Sequence, residues 1–406
     1  MKILKKSVLG TIKNDDIPKL SSSSLKENFK RLSLQEKKTS PTIQSHKKLS
    51  VSPPSNKKKE KLKYNKILHT SPNTSIQIQK PTRRKLQQSL STDFLPIIPK
   101  NEIITELDHF AKGSFSSVYA GRLIKTNKKI VLKVFDQTPD IQTGKNLYSN
   151  SYNSHENFLH EWKILGDIPK FENIVEFCGA IEFKPHIMAL VFEYCNAGTL
   201  VHFLQTNAFK LIKLDYVEIL HGISLGLNCI HSFDPPLIHY DITSNNILIS
   251  IQNTKIIPKI CDFGSTRYLN EEKKFLHQIT TEPYTPPEYW EKTEPHSTYF
   301  DIFSFGIIIS EIITVFATGK YYFPYKYQKS QIYNDEPQRF QIINMIKKGI
   351  KPIIPENADN TFLKIMNSCL NIDIQSRSSA KDLCLLFENV KKDLLSQKNE
   401  IVLTIK

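Results

Sequence analysis

Four short stretches carry side chains whose types do not match their surroundings. In "KIVLKVF" (129–135), Lys133 stands in the middle of an apolar strand, where a half-buried ammonium is costly unless an anion meets it. Glu161, in "SHENFLHEWKILGDI", is the natural partner, although a lysine at a strand edge with its head in water accounts for the pattern too. In "KICDFGSTR" (259–267), Asp262 could hold Mg2+ against phosphate oxygens, because a hard cation takes carboxylate oxygen and water. Gly264 would let the backbone turn away there, and a plain turn explains the tripeptide equally. "HFAKGSFSSVY" (109–119) is a turn whose small residues would let backbone N–H groups approach a triphosphate. Only Gly113 is glycine; Ala111 and Ser116 stand where a G-x-G-x-x-G loop has its other two, so an ordinary hairpin is an open alternative. The fourth stretch, "HYDITSNN" (239–246), centres on Asp241, a carboxylate able to act as a general base, and ends on Asn246.

The elements that must position these groups change character along the chain. "SSVYAGRL", "KIVLKVF", "NIVEFCGAI" and "IMALVFEYC" read as strands separated by polar turns. Between the second and third lies a helix with Phe158, Leu159, Trp162 and Leu165 on one face. After "NAGTL" the pattern turns helical, as in "LDYVEILHGISLGLNCIHS". Strands with one helix, then mainly helices, indicate an α+β fold with a small β-rich lobe and a larger helical lobe. Residues 136–156 and 320–339 read as loop insertions, the first polar, the second aromatic and basic. "YFDIFSFGIIISEIITVFATG" (299–319) has the length of a membrane span, but Asp301 and Glu311 interrupt it and a buried core helix is expected.

The charge is unevenly spread. Residues 1–100 carry 23 Lys and Arg against 6 Asp and Glu, and the rest of the chain 32 against 34. The net charge of +15 is therefore a property of the N-terminal segment. That segment is rich in Ser, Lys, Pro, Gln and Asn, and it is expected to be a disordered basic tail. Its clusters "NKKKEKLKYNK" and "TRRKL" suit an anionic partner such as acidic lipid, nucleic acid or an acidic protein, with a solvated tail as the plain alternative. Ser40, Ser52 and Ser71 precede prolines and Ser33 follows "KRL", so phosphorylation there would erode the charge. No apolar run long enough for a signal peptide opens the chain, and no transmembrane segment is expected. The six cysteines show no metal spacing and fit reduced thiols in a cytoplasmic or nuclear protein.

Taken in chain order, the partial glycine loop, Lys133, Glu161, "HYDITSNN", "CDFG", "PPEYW" and "DIFSFG" resemble the eukaryotic protein kinase family over residues 103–392. The resemblance implies a two-lobed kinase fold with an N-lobe over 103–192, a hinge over 193–198 and a C-lobe over 199–392. The tail (1–100) would precede it, and 393–406 would be a short C-terminal extension. ATP and Mg2+ are the implied cofactors and proteins the implied substrates. By resemblance, Lys133 holds the α- and β-phosphates with Glu161 fixing it, Asp262 and Asn246 bind Mg2+, and Asp241 accepts the substrate hydroxyl's proton. Ala111, Gly113, Ser116 and Val118 would cover the triphosphate. Glu193 and Cys195 would meet adenine through their backbone beside Phe192 as gatekeeper. Glu288 and Arg377 would form an ion pair closing the activation segment, and Asp301 would anchor the catalytic-loop backbone.

Within the catalytic loop, two basic residues of the family pattern are missing. Tyr240 stands where an Arg usually grips a phosphate on the activation segment, so phosphorylation in 265–285, for instance at Thr280, is expected to order that loop only weakly. Thr243 stands where Ser/Thr kinases usually have a Lys near the γ-phosphate, which points to a lower rate. Thr281, seven residues before Glu288, resembles the threonine of Ser/Thr kinases where tyrosine kinases have proline. "NIVEFCGA" and "CLNIDIQSRSSAKDL" resemble the tyrosine-kinase-like group of Ser/Thr kinases. The expected function is therefore a Ser/Thr protein kinase. The rival readings are a dual-specificity kinase, a pseudokinase scaffold favoured by Ala111, Ser116, Tyr240 and Thr243, and a tail-bearing structural adaptor.

Overall fold

The computed structural model describes residues 96–112, 116–136, 148–184, 187–271, 281–291, 297–325 and 339–404. The basic segment up to residue 95, Gly113, Thr280 and the middles of both expected insertions lie outside the described residues.

Five antiparallel strands form the first layer: β1 (Ile103–Lys112), β2 (Ser117–Leu123), β3 (Lys129–Asp136), β4 (Phe177–Lys184) and β5 (Ile187–Glu193), in the order β1-β2-β3-β5-β4. Helix α1 (Tyr148–Asp167) lies between β3 and β4 in sequence. The larger helical part contains α2 (Leu200–Asn207), α3 (Lys213–His231), α4 (Pro287–Glu291), α5 (Tyr299–Thr318), α6 (Arg339–Lys347), α7 (Asn360–Cys369) and α8 (Ala380–Thr404). Short pairs β6 (Leu237–Ile238) with β9 (Arg267–Tyr268), and β7 (Ile247–Gln252) with β8 (Lys255–Ile260), complete it. The two-lobed α+β expectation agrees with this architecture.

Several boundaries differ from the sequence reading. Residues before 100 already pair with the sheet: the Ile98 amide donates to Ala180 O at 2.8 Å and the Ala180 amide to Pro96 O at 2.8 Å. Gly179 permits this approach, since a Cβ there would lie 2.6 Å from Pro96 O. The apolar "PIIP" was hidden by the polar composition averaged over the tail. At the other end, residue 393 is not a break in secondary structure: α8 runs unbroken from Ala380 to Thr404. The Lys391–Glu218 ion pair at 3.0 Å fastens α8 to α3 just before that point. The first expected insertion is shorter than 136–156, because residues 148–156 already belong to α1; polar composition marks a solvated helix face as readily as a loop. In the second, residues 321–325 are described, with Tyr325 buried, and α6 starts at Arg339. Leu159 leaves its expected face: it is 41 % exposed, whereas Phe158, Trp162 and Leu165 are buried.

Helix α5 is apolar on every side because the core surrounds it. It is the one helix among the described residues long and apolar enough to cross a membrane, and 89 % of that window is buried. The core-helix expectation agrees with this burial.

Two local features aim the chemistry. β3 sits between β2 and β5, with Lys133 opposite Val118 on one side and Leu190 on the other. β7 and β8 are joined by a two-residue turn in which Asn253 and Thr254 both have positive φ, the geometry that suits the twist of a hairpin. This hairpin pairs Ile247 with Ile260, so its open end brings Asn246 beside Cys261, whose amide donates to Asn246 O at 2.9 Å. Residues fifteen and more apart are thereby placed next to the same space. α3 supports β8 from behind at close range: a Cβ at Gly222 would lie 2.5 Å from Pro258, and one at Gly226 2.9 Å from Ile260.

Candidate active site

Lys133 rises from the middle of β3 and is met by two carboxylates. Its Nζ lies 2.9 and 2.7 Å from the two Glu161 oxygens and 2.7 Å from Asp262 Oδ1. The sequence alternative, an ammonium reaching water, is not what the chain does. Burial alone would depress the Lys133 pKa, but the charges of Glu161 and Asp262 outweigh it and hold the ammonium above its ordinary value. Burial pushes the Glu161 carboxyl up to about 7 against the pull of Lys133. Asp262 is held below the usual carboxylate range, first by Lys133.

Asp262 has φ 64°, a left-handed backbone that a non-glycine residue adopts only when its surroundings impose it. Phe263, fully buried, packs edge-on against His239 with ring centroids 5.0 Å apart. His239 then ties the two loops together. Its Nδ1 is 3.3 Å from the Asp241 amide, which can only donate, so Nε2 carries the proton and donates to Cys261 O at 3.1 Å. Gly264 lies beside this pair: a Cβ there would be in ordinary van der Waals contact, 3.4 Å from both Asp262 Oδ1 and Glu161 Oε2.

The catalytic-loop backbone is fixed from below. Asp301, completely buried in the first turn of α5, accepts from the His239 amide at 2.8 Å and the Tyr240 amide at 2.9 Å, and its Oδ2 lies 2.9 Å from His231 Nε2 on α3. Tyr240 itself is held at φ 65°. Above this anchor, Asp241 is gripped on both oxygens. Thr281 Oγ1 donates to Oδ1 at 2.8 Å, and Asn246 Nδ2 donates to Oδ2 at 2.7 Å and to the Asp241 carbonyl at 2.9 Å. Burial raises the Asp241 carboxyl above its ordinary value, while the Thr281 and Asn246 hydrogen bonds pull it down.

The remaining sequence-named residues take the following places. Ala111 pairs with Val118 in the β1–β2 ladder, and Ser116 immediately precedes β2. Glu193 closes β5, and its carboxylate turns away from the cleft, 2.8 Å from Lys259 Nζ and 2.8 Å from the Glu176 amide. The Glu193 amide donates to Glu176 O at 3.0 Å. Cys195 is buried, its thiol pushed up to about 12 by that burial, and Phe192 is buried against Phe177 at 5.9 Å. Thr243 is buried, at 3 % exposure. Arg377 clasps Glu288 through two hydrogen bonds of 2.7 and 2.8 Å.

The chain's residues fit ATP with Mg2+. Among the described residues no group of three or more His, Cys, Asp or Glu could hold a metal alone. Mg2+ bound with phosphates does not need one, since it takes one or two protein oxygens and completes its shell with phosphate and water. Asp262 with the Asn246 amide offers such a pair, and Lys133 is a cation aimed into the same space.

The protein kinase domain family matches residues 104–385, more than half of the chain. The chain belongs to the protein kinase family. Its kinase domain is similar to a Dictyostelium discoideum protein named "Probable serine/threonine-protein kinase" (27 % identity over 349 residues, 85 % of this chain and 38 % of the relative). It is also similar to Stress-activated protein kinase alpha of the same organism (25 % identity over 315 residues, 76 % and 45 %) and to its Ankyrin repeat-containing protein kinase A (27 % identity over 316 residues, 74 % and 20 %). The chain thus spans less than half the length of these relatives.

Three side-chain arrangements in the kinase domain were not anticipated in the sequence reading. Glu311 on α5 is fully buried and accepts from Tyr284 at 2.9 Å, from Tyr321 at 2.6 Å and from Ser244 of the catalytic loop. A carboxylate in so apolar a helix was itself the signal, since it must find donors. His160, next to Glu161, lies 2.7 Å from Thr266 O and touches Arg267, tying α1 to the segment after Asp262. The buried Lys259–Glu193 pair had no signal in spacing, because it joins two strands from different parts of the chain.

Proposed function

We propose that this chain is an ATP- and Mg2+-dependent protein kinase that phosphorylates Ser and Thr hydroxyls, and that it falls in the tyrosine-kinase-like group. The observation that carries the substrate class is the 2.8 Å hydrogen bond from Thr281 to Asp241. It leaves the carboxylate oriented beside the end of the activation segment, where a hydroxyl substrate must arrive. In this reading Lys133, locked by Glu161, holds the nucleotide phosphates, and Asn246 and Asp262 hold Mg2+. The metal supplies neutralisation of charge on the phosphate oxygens. Asp241 orients the incoming hydroxyl and takes its proton, while Asn246 and Thr281 fix the angle of its carboxylate. Thr243 adds no positive charge, which lowers the rate without removing a group the chemistry requires.

The pseudokinase reading is not adopted. Lys133, Glu161, Asp241, Asn246 and Asp262 converge, and a scaffold has no use for that convergence. Among the six cysteines none is bonded to another, which supports a reducing compartment such as the cytoplasm or nucleus.

The test is incorporation of labelled γ-phosphate into a generic basic protein, followed by phosphoamino-acid analysis. Phosphoserine and phosphothreonine, lost in Asp241→Asn and Lys133→Met, are the expected result. Phosphotyrosine of equal yield would favour dual specificity, and label unaffected by both substitutions would refute the proposal.

A further inference from the structure

The position beside Asp241 holds a buried ring rather than a charge. Tyr240 is 5 % exposed and forms a separate apolar cluster with Ile238, Phe300 and Tyr289. The Tyr240 and Phe300 rings meet edge to face at 5.0 Å and 69°. Phe300 meets Tyr289 at 6.0 Å and 86°, and Tyr289 meets Trp290 at 5.1 Å and 90°. These are the offset arrangements that aromatic quadrupoles favour. The rings belong to three elements: the catalytic loop, the start of α5, and α4, which closes the activation segment beside Glu288.

The topology makes this row of rings one side of a closed figure. Asp241 is joined to Thr281 by a hydrogen bond, and Tyr240, its neighbour, is joined through Phe300 to Tyr289. The chain from Thr281 to Tyr289 connects the two ends. Along it, Tyr284 reaches Glu311, and its carbonyl accepts from Ser304 at 2.7 Å. The φ of 65° at Tyr240, with its amide on Asp301, directs the ring into α5.

We propose that Tyr240 is a positioning residue: through Phe300 and Tyr289 it seats the end of the activation segment, and with it Thr281, against Asp241 by packing. The proposal rests on the kinase reading above for its catalytic readout and adds how the substrate end of that site is held. The ring contacts from Tyr240 to Trp290 run through Phe300 and Tyr289 and not through Lys133, Glu161 or Asp262, so their loss is expected to act on phosphotransfer and protein substrate without weakening nucleotide binding.

The experiment compares the full chain with Tyr240→Leu, Tyr240→Phe and Phe300→Leu. Leu keeps apolar volume but removes the edge-to-face contact. Tyr240→Leu and Phe300→Leu are each expected to lower kcat about tenfold with KM for ATP unchanged, and Tyr240→Phe to restore kcat to within about twofold of wild type. Hydrogen exchange is read in parallel on residues 284–291. Faster exchange there in both Leu variants, with Tyr240→Phe protected, is the expected result. Unchanged exchange at 284–291 in Tyr240→Leu would overturn the proposal, as would an equal rise in KM for ATP, which signals general loosening. A wild-type chain with no Asp241-dependent phosphotransfer would refute the kinase reading instead, and the exchange measurement would still decide whether the rings seat the segment.

Discussion

On the proposed reading, the nucleotide end of the cleft is organised by full charges, whereas immediately around Asp241 the substrate end is organised by packing and neutral hydroxyls, the buried Glu288–Arg377 ion pair lying farther along the activation segment. At the first, one ammonium meets two carboxylates within 2.9 Å, drawn from β3, α1 and the segment after β8. At the second, a ring replaces a guanidinium beside Asp241, and Glu311 is satisfied by Tyr284, Tyr321 and Ser244 without any cation. The difference follows from what each end must do. Phosphates bring several negative charges, so the site that receives them must hold a cation ready. A protein hydroxyl is neutral, so the site that receives it needs shape and one oriented acceptor.

The strongest way to break this comparison is to remove the one acceptor. Asp241→Asn is expected to lower kcat by ~10²–10⁴, the range for loss of a positioned general base, while leaving nucleotide affinity measured by calorimetry intact. An equal fall in ATP affinity would mean that the two ends are not separable. Glu161→Gln acts at the other end. With one carboxylate gone, Lys133 stays bound to Asp262 and withdraws from phosphate, so KM for ATP should rise about tenfold with a smaller change in kcat. A change confined to kcat would contradict the assignment of Lys133 to the nucleotide.

A third prediction sharpens the substrate end. Thr281 is one of the hydrogen bonds that hold the Asp241 pKa down against burial. In Thr281→Val the carboxyl should therefore titrate higher, and the acid limb of the kcat profile should move to higher pH. At neutral pH the activity loss should be several-fold, smaller than for Asp241→Asn. An unmoved acid limb would show that the hydrogen bond is not maintained in the working enzyme.

Charged and packed regions were unequally legible in the sequence. Lys133 and Glu161 could be paired from sequence because an ammonium in an apolar strand and a carboxylate on an amphipathic helix each demand a partner. Asn246 and Asp262 were named separately, and the β7–β8 hairpin shows why they meet: its register places both at the open end. The row from Tyr240 to Trp290 was invisible, because aromatic residues sixty positions apart leave no periodic trace. Tyr240 was noticed only as an absent arginine. The tail boundary failed for a related reason, since two isoleucines at 97 and 98 are too few to shift a composition yet enough to occupy a sheet edge.

The smallest expected effect concerns Glu311, the buried carboxylate at the substrate end. Burial lifts its pKa from 4.5 to about 7, with the Ser244, Tyr321 and Tyr284 hydroxyls opposing the rise. The folded protein thus holds this proton more tightly than the unfolded chain. Its contribution to stability is complete below pH 4.5 and is lost as pH climbs through about 7. Glu311→Gln keeps an oxygen acceptor for the two tyrosines and an amide that can donate to Ser244, but it cannot titrate. Melting temperatures measured from pH 5 to pH 8 should therefore fall by several degrees more in the wild type than in Glu311→Gln, up to ~3 kcal/mol of differential stability. Parallel profiles would mean that the hydroxyls keep the carboxylate ionised throughout. The substrate end would then hold a full buried charge like the nucleotide end, and the contrast between the two would narrow to the ring at position 240.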